Sequence, residues 1–338
     1  MKLTHRISIT VLLTFSAVAA ASAQEAPEEA VLRTSAVGVV QLTIPAGQGR
    51  AISIPLHNPA IFSGKIGELS DSTLVPEGGL PEGFSAGPWA SAPHVLRTLS
   101  GPAQGHPIPI TEVSQGQLIL DLGSGEIAPA VGDQFEIYPI DTVGSFFGGP
   151  EEGIFPNTDP KKADNLVIHL ENGWVTLFHD GVTWREDGAE DYDASSYPLL
   201  PDHGTLFIRR GRPALRITLA GELPDSPAAI VAPASSIQFL ANPFASSVRL
   251  ARLGLQDDPA WISSRDSEQA DLVHLYTRRG WRSFHHDGRF WRNQNGRRLN
   301  PRIRRGAAIL VERRPGETVA IAPEPPYPFP ASDASSSN

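Results

Sequence analysis

The stretch "ADNLVIHLENGWVTLFHDGVTWR" (Ala163–Arg185) recurs as "ADLVHLYTRRGWRSFHHDGRFWR" (Ala270–Arg292), without a gap and at an offset of 107 residues. Nine of the 23 positions are identical, against roughly one or two expected from ordinary composition. Identity at this level means an internal duplication. The shared residues are Ala, Asp, Gly-Trp, His-Asp-Gly and Trp-Arg. Asp-Gly between alternating segments is a strong hairpin signal, because a two-residue type I′ turn needs positive φ at both central positions. The spacing predicts His179 opposite Val182, Phe178 opposite Thr183 and Leu177 opposite Trp184. In the second copy it predicts His286 opposite Arg289, His285 opposite Phe290 and Phe284 opposite Trp291. Asn172-Gly173 and Arg279-Gly280 mark an earlier turn, so each copy reads as a three-stranded meander. The structural hairpin motif is Trp174, Asp180, Gly181 and Trp184, repeated as Trp281, Asp287, Gly288 and Trp291. Side chains alternate along a strand, so His285 and His286 point to opposite faces and do not chelate one ion as neighbours.

Each copy is followed by a glycine-led strand ending in paired arginines, "GTLFIRR" and "GAAILVERR". A fainter echo precedes each: "IPLHNPAIFSGKIGEL" (Ile54–Leu69) and "QFLANPFASSVRLARL" (Gln238–Leu253) share Asn-Pro. Elsewhere, short alternating runs sit between Gly, Pro, Asn and Asp turns, and long 3.6-period stripes are missing. This is the pattern of antiparallel β structure. The expected class is all-β: antiparallel sheets, small barrel-like or sandwich modules, internally duplicated, with few or no helices after residue 23.

The expected plan follows. Residues 1–23 are a signal peptide and 24–36 a spacer. Residues 37–75 begin the first β module, with strands at Val37–Ile44 and Ala51–Leu56. Residues 76–160 are an inserted β subdomain and linker, with evenly spaced strands over 93–140 that suggest a compact sheet or small barrel. Residues 161–230 complete the first module, 231–322 are the second, and 323–338 form a flexible Pro/Ser-rich tail.

The opening "MKLTHRISITVLLTFSAVAAASAQ" has a short basic region, an apolar run and Ala-Ser-Ala before Gln24, the form of a cleaved export signal. No later run approaches the ~20 apolar residues of a spanning helix. The chain has no cysteine, which excludes disulfides, thiolate chemistry and cysteine-held zinc. The expected address is the periplasm or the cell exterior, with no membrane anchor after cleavage.

The run "GDQFEIYPIDTVGSFFG" (Gly132–Gly148), the two copies of "AD…GW", the hairpins ending "TWR" and "FWR", and the strands ending Arg-Arg occur in order. In this the chain resembles a family of secreted bacterial proteins of unknown function with a signal peptide and a duplicated Trp-bearing hairpin. In that family the positions before the turn are commonly Tyr and the turn is Asn-Gly. Here they are Phe178-His179 and His285-His286 with Asp-Gly, which argues against a required histidine. The resemblance implies no catalytic residue.

Residues 270–314 carry 12 Arg against three acids, within a chain of net charge −9. This basic stretch makes Arg279, Arg282, Arg289, Arg292, Arg304 and Arg305 candidates for holding an anionic ligand. The loop after the first copy is acidic instead, and Asp187, Glu190, Asp191 and Asp193 are candidates for calcium, although the spacing is not that of an EF-hand. Equivalent loops of opposite sign also allow pairing between modules or, head to tail, between molecules. There is no G-x-S-x-G, H-E-x-x-H, P-loop or dinucleotide fingerprint. No cofactor is expected, and export argues against nucleic acid as a partner. The leading expectation is a structural or interaction protein of the envelope or extracellular space. Its partners would be an envelope protein or a polysaccharide. The alternative is a carbohydrate- or anion-binding module, and a hydrolase built on two distant carboxylates is the third reading.

Overall fold

The computed structural model describes residues 35–84, 92–123, 127–170 and 173–327. The expected signal peptide, most of the spacer, Asn172 of the earlier turn, residues 85–91 and 124–126 of the expected insertion and the tail beyond 327 lie outside the described residues.

The described residues are all-β, with one five-residue helix among them, Val143–Phe147, and short 3₁₀ turns. The first module is a six-stranded antiparallel sheet. Its spatial order is Ala189–Asp193, Trp184–Glu186, Gly173–His179, Asn165–Leu170, Thr205–Ile208, Gly49–Ile52. The second module repeats that order without the outermost strand: Trp291–Asn293, Gly280–His286, Leu272–Thr277, Ala308–Glu312, Ile237–Ala241. Each sheet also carries a two-stranded ribbon. In the first module Val37–Ile44 pairs with Leu215–Glu222, and in the second Ile230–Ala232 pairs with Val319–Ile321. The duplication therefore covers ribbon and sheet together. Leu42, Ile44, Leu166, Leu177, Trp184 and Phe207 fill the first core. Phe244, Leu250, Val273, Phe284, Trp291 and Val311 fill the second.

Two departures from the expected strands have plain causes. The strand expected over Ala51–Leu56 runs instead from Gly49 to Ile52. At Ser53 the backbone leaves its own sheet, and its N–H donates to Gly306 O of the second module. The Ser53 hydroxyl donates to Asn242 O at 3.1 Å. The inserted barrel, in turn, begins before residue 76. Six strands close it: Phe62–Ser70, Thr73–Pro76, Gln117–Leu120, Pro107–Ser114, His94–Thr98 and Gln134–Pro139. Phe62–Ser70 pairs with both Thr73–Pro76 and Gln134–Pro139. Without these first two strands the sheet would have two open edges, which closure removes. Ile66, Leu74, Leu96, Leu118, Phe135 and Ile137 fill the interior.

The hairpin turn is not the two-residue type I′ form. His179 pairs with Trp184, Phe178 with Arg185 and Leu177 with Glu186. His286 likewise pairs with Trp291, His285 with Arg292 and Phe284 with Asn293. The loop is four residues long and the register is shifted by two. The reason lies in the aspartate side chain. Asp180 Oδ1 accepts from the N–H groups of Val182 (2.7 Å) and Thr183 (2.8 Å). Asp287 Oδ1 does the same with Arg289 (2.8 Å) and Phe290 (2.6 Å). A side chain that satisfies two loop N–H groups favours an Asx-turned loop over the tighter turn. Positive φ is then needed only at the glycine, which is +114° at Gly181 and +89° at Gly288. A shift of two keeps every side chain on its expected face.

The paired arginines and the Ala-Asp at the start of each copy explain one another. Asp164 and Asp271 are fully buried. Asp164 accepts from Arg209 Nη1, Phe155 N (2.9 Å) and Arg210 N (2.6 Å). Asp271 accepts from Arg313 Nε (2.9 Å), Ile262 N (2.7 Å) and Arg314 N (2.6 Å). Each arginine then spans to backbone carbonyls on further segments. Arg209 donates to Gly153 O and Pro213 O. Arg313 donates to Ala260 O, Glu317 O and Ala232 O. Gly153 and Ala260 stand 107 residues apart, as do Asp164 and Asp271. The ion pair is thus a stitch that holds the loop before the repeat, the repeat's first strand and the chain after its last strand. Satisfied on all sides, it tolerates burial that would otherwise be costly.

Candidate functional site

The two tryptophans of each copy have opposite fates. Trp184 is 1% exposed and Trp291 3%. Trp184 packs against Phe147 and His179, and its indole N–H donates to Gly148 O at 2.8 Å. Trp291 packs against Trp261 and His286, and its N–H donates to Gln256 Oε1 at 3.1 Å. They are core anchors with their polar atom satisfied. The other pair, Trp174 and Trp281, is 44% and 39% exposed. Neither indole N–H has a protein acceptor among the described residues.

These outer tryptophans come together where the two sheets meet. Phe239, on the first sheet strand of the second module, is buried between the modules with Ala51 and Ala308. Its ring lies 5.3 Å from Trp174, edge to face, and 6.0 Å from Trp281, stacked. His169 flanks Trp174 at 4.9 Å and Tyr276 flanks Trp281 at 4.9 Å. His169 and Tyr276 are themselves equivalent positions, again 107 apart. The close approach of the sheets is set by small residues. A Cβ on Gly204 would lie 2.2 Å from Ala308 Cβ, and one on Gly49 would lie 2.9 Å from the Tyr276 hydroxyl. A row of five aromatic rings therefore crosses the module boundary, anchored by buried Phe239 and carrying a half-exposed indole on either side.

The candidate arginines do not form one set. Arg279, Arg282, Arg289, Arg304 and Arg305 are exposed. Arg292 is partly buried and committed: its Nε donates to Asp287 Oδ2 and its Nη1 to Gly296 O at 2.8 Å. The first copy has the same contact, Arg185 Nε to Asp180 Oδ2 at 2.9 Å. Arg292 thus serves the hairpin loop. Arg289 and Arg298 both lie over the Phe290 ring, at 5.1 and 3.6 Å. Burial, with the nearby Arg304 charge, lowers the Arg50 pKa.

His285 and His286 are buried on opposite faces. His286 Nδ1 lies 2.9 Å from Ser263 Oγ, while His285 Nε2 has no partner. Burial lowers the pKa of both, against the opposing pull of Asp287. In the acidic loop, Asp193 Oδ1 accepts from Thr183 Oγ1 (2.6 Å) and Ser195 N (2.9 Å), so it caps a turn. Asp187 and Asp191 are exposed, and the Glu190 side chain lies outside the described residues. Among the described residues no three His, Asp or Glu side chains are grouped to hold a metal ion.

A third feature has no local signal in the sequence. The barrel is packed onto the first module, and a cavity of about 210 Å³ lies at that joint. Its walls come from residues 54–58, 138–146, 199–201 and 218–220, segments scattered over more than 160 positions. A narrower cleft beside it is lined by His57, Arg97, Tyr138 and Asp202. There Arg97 pairs with Glu136 at 2.5 Å and Asp202 Oδ1 lies 2.9 Å from His203 Nδ1. Burial lowers the His203 pKa, but Asp202 beside it reverses this and leaves it raised. One carboxylate lines each space, Asp141 in the first and Asp202 in the second.

Among the described residues no helix is long and apolar enough to cross a membrane. Compared with family models, curated proteins and solved structures, the chain matches none.

Proposed function

We propose that this is an exported binding protein of the envelope or extracellular space, and that its ligand is a polysaccharide held on the outer tryptophans Trp174 and Trp281, which pack on buried Phe239. The observation that carries the reading is the pairing of two half-exposed indoles with free N–H groups on a duplicated scaffold. An exposed aromatic cluster costs solvation unless a partner covers it. Two equivalent rings, set side by side by a duplication, suit a ligand that itself repeats. Pyranose rings with equatorial hydroxyls present flat C–H faces that pack on indole and hydroxyls that accept from the indole N–H. The exposed arginines Arg279, Arg282, Arg289, Arg304 and Arg305 favour a second form of the same reading, an acidic glycan held partly by charge.

Affinity electrophoresis through hydroxyethyl cellulose, soluble chitin oligomers and alginate tests both forms. Retardation by the neutral chains, lost in Trp174→Ala and Trp281→Ala, is the expected result. Retardation by alginate alone, abolished by moderate salt, would transfer the role to the arginines. No retardation in any gel would leave a structural or assembly role as the better account.

A further inference from the structure

The cavity between barrel and first module holds a charge that nothing among the described residues answers. Ile54, Leu56, Phe146, Leu199 and Leu219 supply apolar side chains to its lining, and Asn58, Ser145 and Thr218 supply polar ones. Into this lining the chain places Asp141, at the point where it leaves the barrel for the helix Val143–Phe147. The carboxylate accepts from Ser145 Oγ at 3.2 Å. Among the described residues no Lys, Arg or His stands within ion-pair distance of it. Burial raises its pKa, and the Ser145 bond offsets this only in part. Partial burial of a carboxylate without a counter-charge is unfavourable.

The opposite wall adds a second acceptor. The His57 side chain is 10% exposed. Its Nδ1 lies 3.0 Å from Asn58 O, and a carbonyl can only accept, so Nδ1 carries the proton. That leaves Nε2 as a lone pair, and it has no donor among the described residues. Burial, with the Arg97 charge, lowers the His57 pKa and keeps the ring neutral. The joint thus combines a mixed lining of apolar and polar side chains, one unanswered negative charge and an unmatched acceptor. Cavities at the boundary between two folded units are frequent ligand sites, and this one is below the size of a typical drug pocket.

We propose that the cavity binds a small primary amine: an ammonium group on Asp141, with a compact apolar body against Phe146, Leu199 and Leu219. This site is separate from the aromatic row and does not depend on the polysaccharide reading. The chemistry excludes anions, because the carboxylate would repel them, and disfavours neutral isosteres, which leave the charge unanswered.

Benzylamine, benzyl alcohol and benzoate are near-isosteric and differ in charge. Titration of the full chain by isothermal calorimetry at pH 7.5 should show saturable binding of benzylamine alone. Asp141→Asn should weaken it at least tenfold with an unchanged melting temperature. Should that variant melt early, Ala220→Trp gives an independent reading. Ala220 is an exposed strand residue on the cavity rim, and an indole there should block entry without touching the core. Absence of benzylamine binding in the unaltered protein would overturn the proposal. So would equal binding of benzyl alcohol, or binding unchanged in both variants.

Discussion

The two modules share a skeleton and differ in what surrounds it. Both keep the buried Asp–Arg stitch, the Asp-capped hairpin loop and the inner tryptophan. They differ in the loop after the hairpin, acidic in the first and basic in the second. They differ in the buried residue before His-Asp-Gly, Phe178 in one and His285 in the other. Only the first has a barrel inserted behind its Asn-Pro. What the duplication preserves is therefore what closes the module. The surface loops and the insertion are where the copies diverge.

The comparison breaks most severely at the stitch. Arg209→Ala and Arg313→Ala each leave a carboxylate buried without its cation, and each should cost about 3–5 kcal/mol in urea unfolding. The two losses should agree to within about 1 kcal/mol if the contacts are truly equivalent. A loss in one copy alone would show that the other is held by different means. Replacing both partners by apolar residues should recover much of the loss.

Next come the inner tryptophans. Trp184→Ala and Trp291→Ala should each cost about 3–5 kcal/mol by leaving a large cavity. The same change at the outer pair should cost about 0.5 kcal/mol or less if Trp174 and Trp281 are surface residues. Differential scanning calorimetry of the four variants separates the classes. The hairpin cap is weaker. Asp180→Ala and Asp287→Ala each remove two N–H partners and an arginine contact and should cost about 1–2 kcal/mol. Arg185 and the loop N–H groups overcome the effect of burial and hold Asp180 down at about 2. Its contribution is thus complete above pH ~4 and is lost as pH falls below that.

The smallest effect sharpens one buried difference between the copies. His285→Phe gives the second copy the residue of the first and removes an unpartnered buried Nε2. It should stabilise the protein by about 1 kcal/mol at neutral pH. Because burial lowers the His285 pKa, the unfolded chain takes up a proton that the folded one refuses. Stability therefore falls as pH drops below ~6.5. Urea unfolding at pH 7.5 and 5.5 should show a larger advantage for His285→Phe at the lower pH. An equal or smaller advantage there would mean that the imidazole protonates in place.

Much of this architecture was legible in the residues. Nine identities at a constant offset gave the duplication, and the Asp-Gly spacing gave a three-stranded meander in each copy. The turn was misjudged because Asp-Gly serves two loop types, and only the side-chain bonds of Asp180 and Asp287 decide between them. The first barrel strands are hidden because Ile54–Leu69, which includes most of Phe62–Ser70, resembles Gln238–Leu253 through the Asn-Pro at 58–59. Local likeness does not reveal where a strand finds its partners. Arg292 looked free because its partner, Asp287, was read only as a turn residue. The aromatic row was out of reach because Phe239 lies outside the copy that supplies Trp281 and is joined to Trp174 only by packing between sheets. The joint cavity draws on four distant segments and left no pattern at all.

The central claim is a division of labour within the repeat, with the inner tryptophans closing each module and the outer pair presenting a shared binding face. The Trp174→Ala/Trp281→Ala double variant tests it when unfolding free energy and polysaccharide retardation are measured on the same preparation. The account predicts stability within about 1 kcal/mol of the unaltered protein and loss of retardation by the pyranose chains that retard that protein. Retained retardation, or a loss of stability as large as that of Trp184→Ala, would contradict it.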